Sequence, residues 1–533
     1  MGALVTGLLL SLIAAAVAAE PGTLVITNVS AAGSIGSATN QIVNLYVTDG
    51  RLVRITPHVA GGKPVDASFN ANAWTVLGAL QLNEPASFII LRGDARSNFD
   101  LLRDSRANAA FVIESGEVLR NELGPGKPAL PAVAAASVSQ EDEGPWHSWQ
   151  TENTSNLFVI GIILDRVDWV SQNSASKARL GDLSPFDGGE IRDFRFGATG
   201  KLGYFERPWT YTFFVATNAF DKEYDVKEQE DLSIYDLRLD IPTSDNTHLA
   251  IGKQKEPISG DRMQSAIFNH MQERAAVSDA LLRSRNTGVT WYGYDPETYF
   301  TWGAGVFNDW LDDNDSDSNA ETTVAGRVTW APLVDEAKRE LLHLGIGHRW
   351  SDVSRGVRYA SGPELYIAPQ FVDTGFGRED PRFAADSAST WNAEIGWRRG
   401  PLWIGSEYTR TEVDSREFGD PGFDGYWVAA SWIVGGGARP YDRRKGLFGA
   451  VPITQPVDRG GRGTLEFSGR WSTVDLDDSL VQGGDMDIAS VGVAWWLTPN
   501  LGVDLDFRYT WTSFLGESEK AGAFNSRILL LLE

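Results

Sequence analysis

The chain has 533 residues and no cysteine, which excludes disulfides, thiolate metal sites and thiol redox chemistry. Its 71 acidic and 47 basic residues give a net charge of −24, the wrong sign for a nucleic-acid partner, whose phosphates need a basic patch. With 19 Trp, 14 Tyr, 25 Phe, 55 Gly and a mean hydropathy of −0.22, the composition excludes a bundle of membrane helices but not a β-barrel, whose strands are apolar on one face only.

Residues 3–19, ALVTGLLLSLIAAAVAA, form the one long apolar run. It ends in a small-residue site suited to cleavage near Ala19, so residues 1–19 are predicted as a signal peptide, although the start carries no Lys or Arg. No other segment has the roughly 20 apolar residues of a spanning helix. Residues 20–123 form a first unit. Short strands are predicted within 24–31, 42–57 and 61–80, with Asp49-Gly50 as a tight turn, and within 86–102 and 109–123, with Ser115-Gly116 as the next.

The segments LVITNV, VTDGRLVRI, GGKPVDAS and WTVLGAL resemble the opening strands of metal-dependent amidohydrolases. ASFIILRGDARSNFDLLRDSRANAAFVIESGEVLRN resembles their closing strands. In that family the two sets build a small β-sandwich beside a catalytic barrel whose His-x-His and later His and Asp ligands bind metals. Here only residues 81–85 separate the sets, the chain has no His-x-His, and His58 is the sole histidine of the unit. A hydrolase of that kind without ligands cannot activate water, so the resemblance implies a sandwich remnant without catalysis. A Pro/Ala-rich linker, residues 124–145, follows.

From residue 146 to 533 the pattern is uniform: segments of about ten residues alternate apolar and polar between turns. They fall at 157–169, 190–202, 209–220, 232–242, 247–254, 287–295, 298–310, 322–332, 341–350, 390–399, 402–410, 425–434, 464–474 and 524–533. A further, less regular one is expected near 358–371. The plainest case is 491–511, where Val491, Val493, Trp495, Leu497, Leu501, Val503, Leu505, Phe507, Tyr509 and Trp511 occupy alternate positions about the turn Thr498-Pro499-Asn500. Trp302, Trp310, Trp330, Trp350, Trp391 and Trp397 stand where interface girdles would. The predicted fold is all-β: an outer-membrane antiparallel β-barrel of about 16 strands preceded by a small periplasmic β-sandwich. Turns alternate short (Gly400-Pro401) and long (311–321, 414–424, 435–463), and the break 256–280, which has no β alternation, is expected to fold into the lumen.

THLAIGKQKEPISGDRM, GRGTLEFSGRWSTVDL and LTPNLGVDLDFRYTW resemble, in order and spacing, segments of the phosphate-selective porin O and P family. The resemblance implies a sixteen-stranded outer-membrane barrel, commonly a homotrimer, that passes anions such as phosphate or polyphosphate past arginines and a lysine cluster. One departure is the final residue, Glu533, where barrel chains often end in an aromatic. Strand alternation turns Arg195, Arg327, Arg349, Arg398, Arg470 and Arg508 inward as pore-lining anion candidates. Lys253, Lys255, Arg262, Arg274, Arg283 and Arg285 lie in or beside the inward segment. Glu394, Glu407, Glu466, Asp504 and Asp506 point inward as well, and Asp506 could neutralise Arg508.

Asp313, Asp315 and Asp317 alternate as in a calcium loop but lack its glycine and final glutamate, so a solvated loop is favoured over a metal site. His343 and His348 lie on opposite strand faces and cannot share a metal. Asn28-Val29-Ser30 is a sequon by pattern only, the glycines at 33 and 36 lack a following helix, and no Ser/His/Asp constellation emerges. No cofactor is expected. The expected function is passive diffusion of small anions across the outer membrane, with a non-catalytic periplasmic domain that could dock an envelope partner. The alternatives are a general, carbohydrate-permeable or cation-selective porin, and a scaffold barrel.

Overall fold

The computed structural model describes residues 147–217, 232–308 and 321–532, together with eight strands between residues 23 and 121. The predicted signal peptide, the linker and the loop carrying Asp313, Asp315 and Asp317 lie outside the described residues. The chain divides into two compact units, Met1–Glu141 and Asp142–Glu533.

In the first unit β1 (Thr23–Ala31), β2 (Gln41–Thr48), β3 (Arg51–Pro57) and β4 (Ser68–Asn70) form one sheet in the order β3-β2-β1-β4, with β1 and β4 parallel. The strands β5 (Val76–Ala79), β6 (Ser87–Leu91), β7 (Ala109–Glu114) and β8 (Glu117–Asn121) form a second, in sequence order. Ile26, Leu45, Leu52, Ile90, Phe111 and Ile113 are buried side chains of this unit, so each sheet turns an apolar face away from water.

The second unit opens with the stub β9 (Ser148–Gln150) and continues through β10 (Thr154–Gln172), β11 (Gly188–Leu202), β12 (Trp209–Ala216), β13 (Ser233–Pro242), β14 (Thr247–Gln254), β15 (Asn286–Asp295), β16 (Phe300–Asn308), β17 (Thr322–Asp335) and β18 (Glu340–Asp352). One short pair, β19 (Ala360–Ser361) with β20 (Val372–Asp373), precedes β21 (Ser387–Arg399), β22 (Leu402–Asp414) and β23 (Gly422–Ile433). Another pair, β24 (Tyr441–Asp442) with β25 (Leu447–Phe448), precedes β26 (Thr464–Asp478), β27 (Val481–Thr498), β28 (Leu501–Phe514) and β29 (Glu517–Leu532). Strands β10–β18, β21–β23 and β26–β29 run antiparallel to their neighbours in a closed barrel of sixteen, sealed where β10 pairs with β29 from Ile160 to Gln172. The stub β9 continues the β29 edge along Ser155–Leu157.

Alternation sets the two faces. On β27 and β28 the facing pairs Val491–Phe507, Val493–Leu505 and Trp495–Val503 turn outward, while Ser490–Arg508, Gly492–Asp506 and Ala494–Asp504 turn inward. Gly492 leaves room for the Asp506 carboxylate, which a Cβ there would strike. The same outward row runs around the barrel through Trp291, Trp330, Trp350, Trp391, Trp432 and Trp471, the apolar exterior that a lipid bilayer requires.

Two features depart from the sequence reading. Residues 358–371 contribute no barrel strand: they belong to a buried connection between β18 and β21, and the count of sixteen is complete without them. Alternation cannot distinguish a short segment packed inside a barrel from a wall strand, because both carry apolar side chains between polar ones. The connection at 434–463 is long, but it lies at the end where β13–β14, β15–β16, β17–β18, β21–β22 and β27–β28 are joined by short turns. Length does not place it outside the barrel either, since it folds back into the interior.

Candidate functional site

Among the described residues, connections fold into the interior from both ends. From one end come residues 255–285, which carry the helices α1 (Gly260–Met263) and α2 (Ala276–Leu281), and residues 353–386. There the wall is apolar on its inner side. Val413, Phe423, Val474, Leu476, Met486 and Ile488 pack against Ala276, Val277, Leu281, Phe371 and Phe383 of the two connections. From the opposite end comes 434–463, whose tip glycine, Gly446, has a φ of 61° and lies against the side chains of Thr301 and Thr329. Only glycine combines that conformation with so close an approach.

The wall arginines hold these connections in place. Arg327 on β17 donates to Glu394 at 2.6 Å and to the carbonyls of Lys445 and Gly446. Arg349 donates to Glu256 at 2.6 Å. Arg398 donates to the carbonyls of Arg339 and Arg439, the latter at 2.6 Å. Arg470 is paired with Glu364 and donates to the carbonyls of Glu273 and Arg274. Arg508 meets Asp506 at 2.9 Å and Gln272 at 3.4 Å. Arg195 meets Asp193 at 2.6 Å and lies over the Tyr235 ring. Five of the six have an acidic partner and Arg398 has backbone carbonyls, so the wall presents mainly paired charges rather than a row of free guanidinium groups.

The candidates near the inward segment are placed differently. Lys253 is buried at the end of β14, and Lys255 donates to the carbonyls of Met263 and Gln264, the latter at 2.8 Å. Arg262 donates to the Ser278 carbonyl at 2.6 Å, Arg274 to the Gln264 carbonyl at 2.9 Å, and Arg285 to Asp236 at 2.9 Å over the Tyr235 ring. Arg283 is half-buried between α2 and β15. Burial, reinforced by Arg274 and Arg285, pushes the Lys255 ammonium well below its usual range.

Some of the strongest contacts involve residues the sequence reading did not single out. Arg527 on β29 clasps Asp165, its partner across the closing seam, through two bonds of 2.7 Å, and reaches Glu273 at 2.6 Å. Arg192 completes the cluster with two bonds of 2.8 Å to Glu273. Ile528 faces outward, so alternation could have given Arg527 its inward direction. Arg192 was hidden by a bulge: Asp193 pairs with Ile163 and Ile191 with Leu164, so Arg192 is an extra residue in the ladder and both Arg192 and Asp193 turn inward. Arg439 of the 434–463 connection binds Glu466 through both oxygens at 2.7 Å, in a segment with no strand alternation to direct it.

Cavities flank the segment 260–276. One, of about 70 Å³, lies toward β21, β22 and β23 and is lined by Asp261, His270, Glu394, Trp403, Glu407 and Trp427. Another, of about 40 Å³, is lined by Arg192, Arg262, Arg274, Glu273 and Glu364. Asn269 borders both. Among the described residues no group of three His, Asp or Glu side chains is arranged to hold a metal ion. His343 and His348 are on opposite faces, the first against Tyr441 inside and the second against Trp391 outside.

His270 packs against Trp403 and Trp427, and burial, with Arg470 and Arg439 nearby, holds its ring well below the ordinary 6.5. An unfolded chain therefore takes up a proton below about pH 6.5 that the folded one refuses. Stability is lost as pH falls through that value, by up to about 1.4 kcal/mol per unit. His270→Phe keeps an aromatic ring there. Its thermal midpoint in detergent is expected to drop less than the wild type's between about pH 7 and about pH 5; equal drops would show that His270 does not contribute.

A closed antiparallel barrel with an apolar exterior, a charged interior and connections folded into it defines an outer-membrane porin. A family model described as phosphate-selective porin O and P matches residues 173–511, and the chain belongs to that family. The family and the fold are those of an outer-membrane channel. An uncharacterized protein of Caulobacter vibrioides is 24% identical over 344 residues, covering 60% of this chain and 62% of that relative's length. Among solved structures, a loop L8 deletion mutant of OmpT from Vibrio cholerae is similar with a TM-score of 0.46 and 12% identity, over 72% of this chain and 100% of that one. An anion-selective porin from Comamonas acidovorans is similar with a TM-score of 0.43 and 11% identity, over 71% of this chain and 100% of that one.

Proposed function

We propose that the channel passes small anions, phosphate or related oxyanions among them. The observation that carries this reading is the cluster of Lys255, Arg195, Arg274 and Arg285, in which Arg195 and Arg285 are paired with Asp193 and Asp236, Arg274 has Asp261 at 4.0 Å, and Lys255 has only carbonyl partners. An anion at that point relieves the mutual repulsion and replaces part of its own hydration with N–H donors. The family's description supports the same substrate class. We take the first unit to lie in the periplasm, without catalysis and free to dock an envelope partner, and the assembly to be a homotrimer in outer-membrane lipid.

The reversal potential of the purified protein in planar bilayers under a KCl gradient tests the reading. Anion selectivity, with chloride current reduced by added phosphate, is the expected result, and Lys255→Glu is expected to shift the potential toward cations. Cation selectivity with no response to phosphate would overturn it. The acidic pairing of five of the six wall arginine candidates favours a second reading, a channel with little charge selectivity, which the same potential identifies by a value near zero.

A further inference from the structure

We propose that the cavity between residues 260–270 and the wall strands β21–β23 binds a small organic ammonium ion. Glu394 on β21 and Glu407 on β22 stand directly opposite each other in register. Glu394 is neutralised by Arg327 at 2.6 Å. Glu407 is 4% exposed, and its hydrogen-bond partners are neutral donors: Ser259 Oγ at 2.6 Å, the Asp261 amide at 2.7 Å and Asn392 Nδ2 at 3.1 Å. No ion pair to Glu407 forms among the described residues. A carboxylate buried without a counter-charge is costly, and either a proton or a cation from solution removes the cost.

Other groups at the cavity point to the same ligand. Asp261, also 4% exposed, leaves Oδ2 without a hydrogen-bond partner, while Oδ1 takes Asn269 at 3.2 Å and has its nearest cation, Arg274, as far off as 4.0 Å. The His270 Nε2 atom likewise has no partner. Trp403, Trp427 and Phe448 line the remaining sides, the two indole N–H groups without a hydrogen-bond partner. An ammonium group matches the acceptors: its N–H bonds satisfy the Glu407 and Asp261 oxygens, and aromatic side chains surround its charge. A volume of about 70 Å³ admits an ion of a few heavy atoms. Among the described residues no three ligands converge as a bare metal ion needs.

Calorimetric titration of the full-length protein in detergent at neutral pH with propylammonium chloride tests the site, with sodium chloride at the same ionic strength as the comparison. A saturable heat with propylammonium and none with sodium is expected. Glu407→Gln, which keeps the hydrogen-bond acceptor for Ser259, is expected to weaken binding by about tenfold or more. Asp261→Asn serves as a second variant should Glu407→Gln fail to give the folded barrel. No saturable heat, an equal heat with sodium, or unchanged affinity in a folded variant overturns the proposal. The titration reads heat, not current, so its failure leaves the anion-channel reading standing, and the reverse also holds.

Discussion

Replacing residues 438–450 with a short Gly-Ser linker is expected to raise the single-channel conductance of the purified protein severalfold in planar bilayers. This stretch enters the lumen from the short-turn end and is held there by wall residues. Arg439 clamps Glu466 through both oxygens at 2.7 Å, Arg327 grips the carbonyls of Lys445 and Gly446, and Arg398 grips the Arg439 carbonyl. Tyr441 meets His343 at 2.8 Å and Phe448 lies against Gly396. With the stretch removed, water replaces protein around Glu466, Arg327 and Arg398, and the narrowest cross-section, which sets conductance, widens. The barrel itself should survive, because β23 and β26 pair along their length independently of it. An unchanged conductance in a folded variant would show that the restriction lies with residues 255–285 and 353–386 instead.

Arg527→Ala is expected to destabilise the barrel by about 3–5 kcal/mol, the cost of leaving a buried carboxylate without its counter-charge. Asp165 is 4% exposed and receives both bonds from Arg527 across the β10–β29 seam. Glu273 loses one of its two cations and keeps Arg192. The first loss loosens barrel closure and the second loosens the docking of the 255–285 connection. The measurement is the temperature at which the protein loses its compact, heat-modifiable form on gels. The double variant Arg527→Met with Asp165→Asn should recover part of the loss, because removing both partners of the seam pair leaves no charge stranded there. If Arg527→Ala unfolds at the wild-type temperature, water reaches the seam and the pair is not buried in solution.

The wall was legible residue by residue. Wherever an element alternates without interruption, as from Val491 to Trp511, the period of two assigned each side chain to lipid or lumen, because a strand offers only two faces. Alternation failed where one residue was added to the ladder, at Arg192, and wherever the chain left the wall. Residues 358–371 and 434–463 carry no mark in their own sequence of being inside the barrel. The partners that hold them there, Arg470 with Glu364 and Glu466 with Arg439, are 106 and 27 residues apart.

By itself the sequence determined the class: a chain whose strands are apolar on one side only, girdled by tryptophan and without membrane helices, can bury that face only in lipid or in a sandwich core. Sixteen such strands close most readily on themselves in lipid, with no free edge left. The tertiary structure alone decided what the inward charges do. Direction along a strand is local, but pairing depends on which distant segment is folded against it. The arginines that alternation turned inward are therefore engaged with carboxylates and carbonyls of the wall and of the inserted connections, and Glu407, an ordinary inward acid in the sequence, is left among neutral donors.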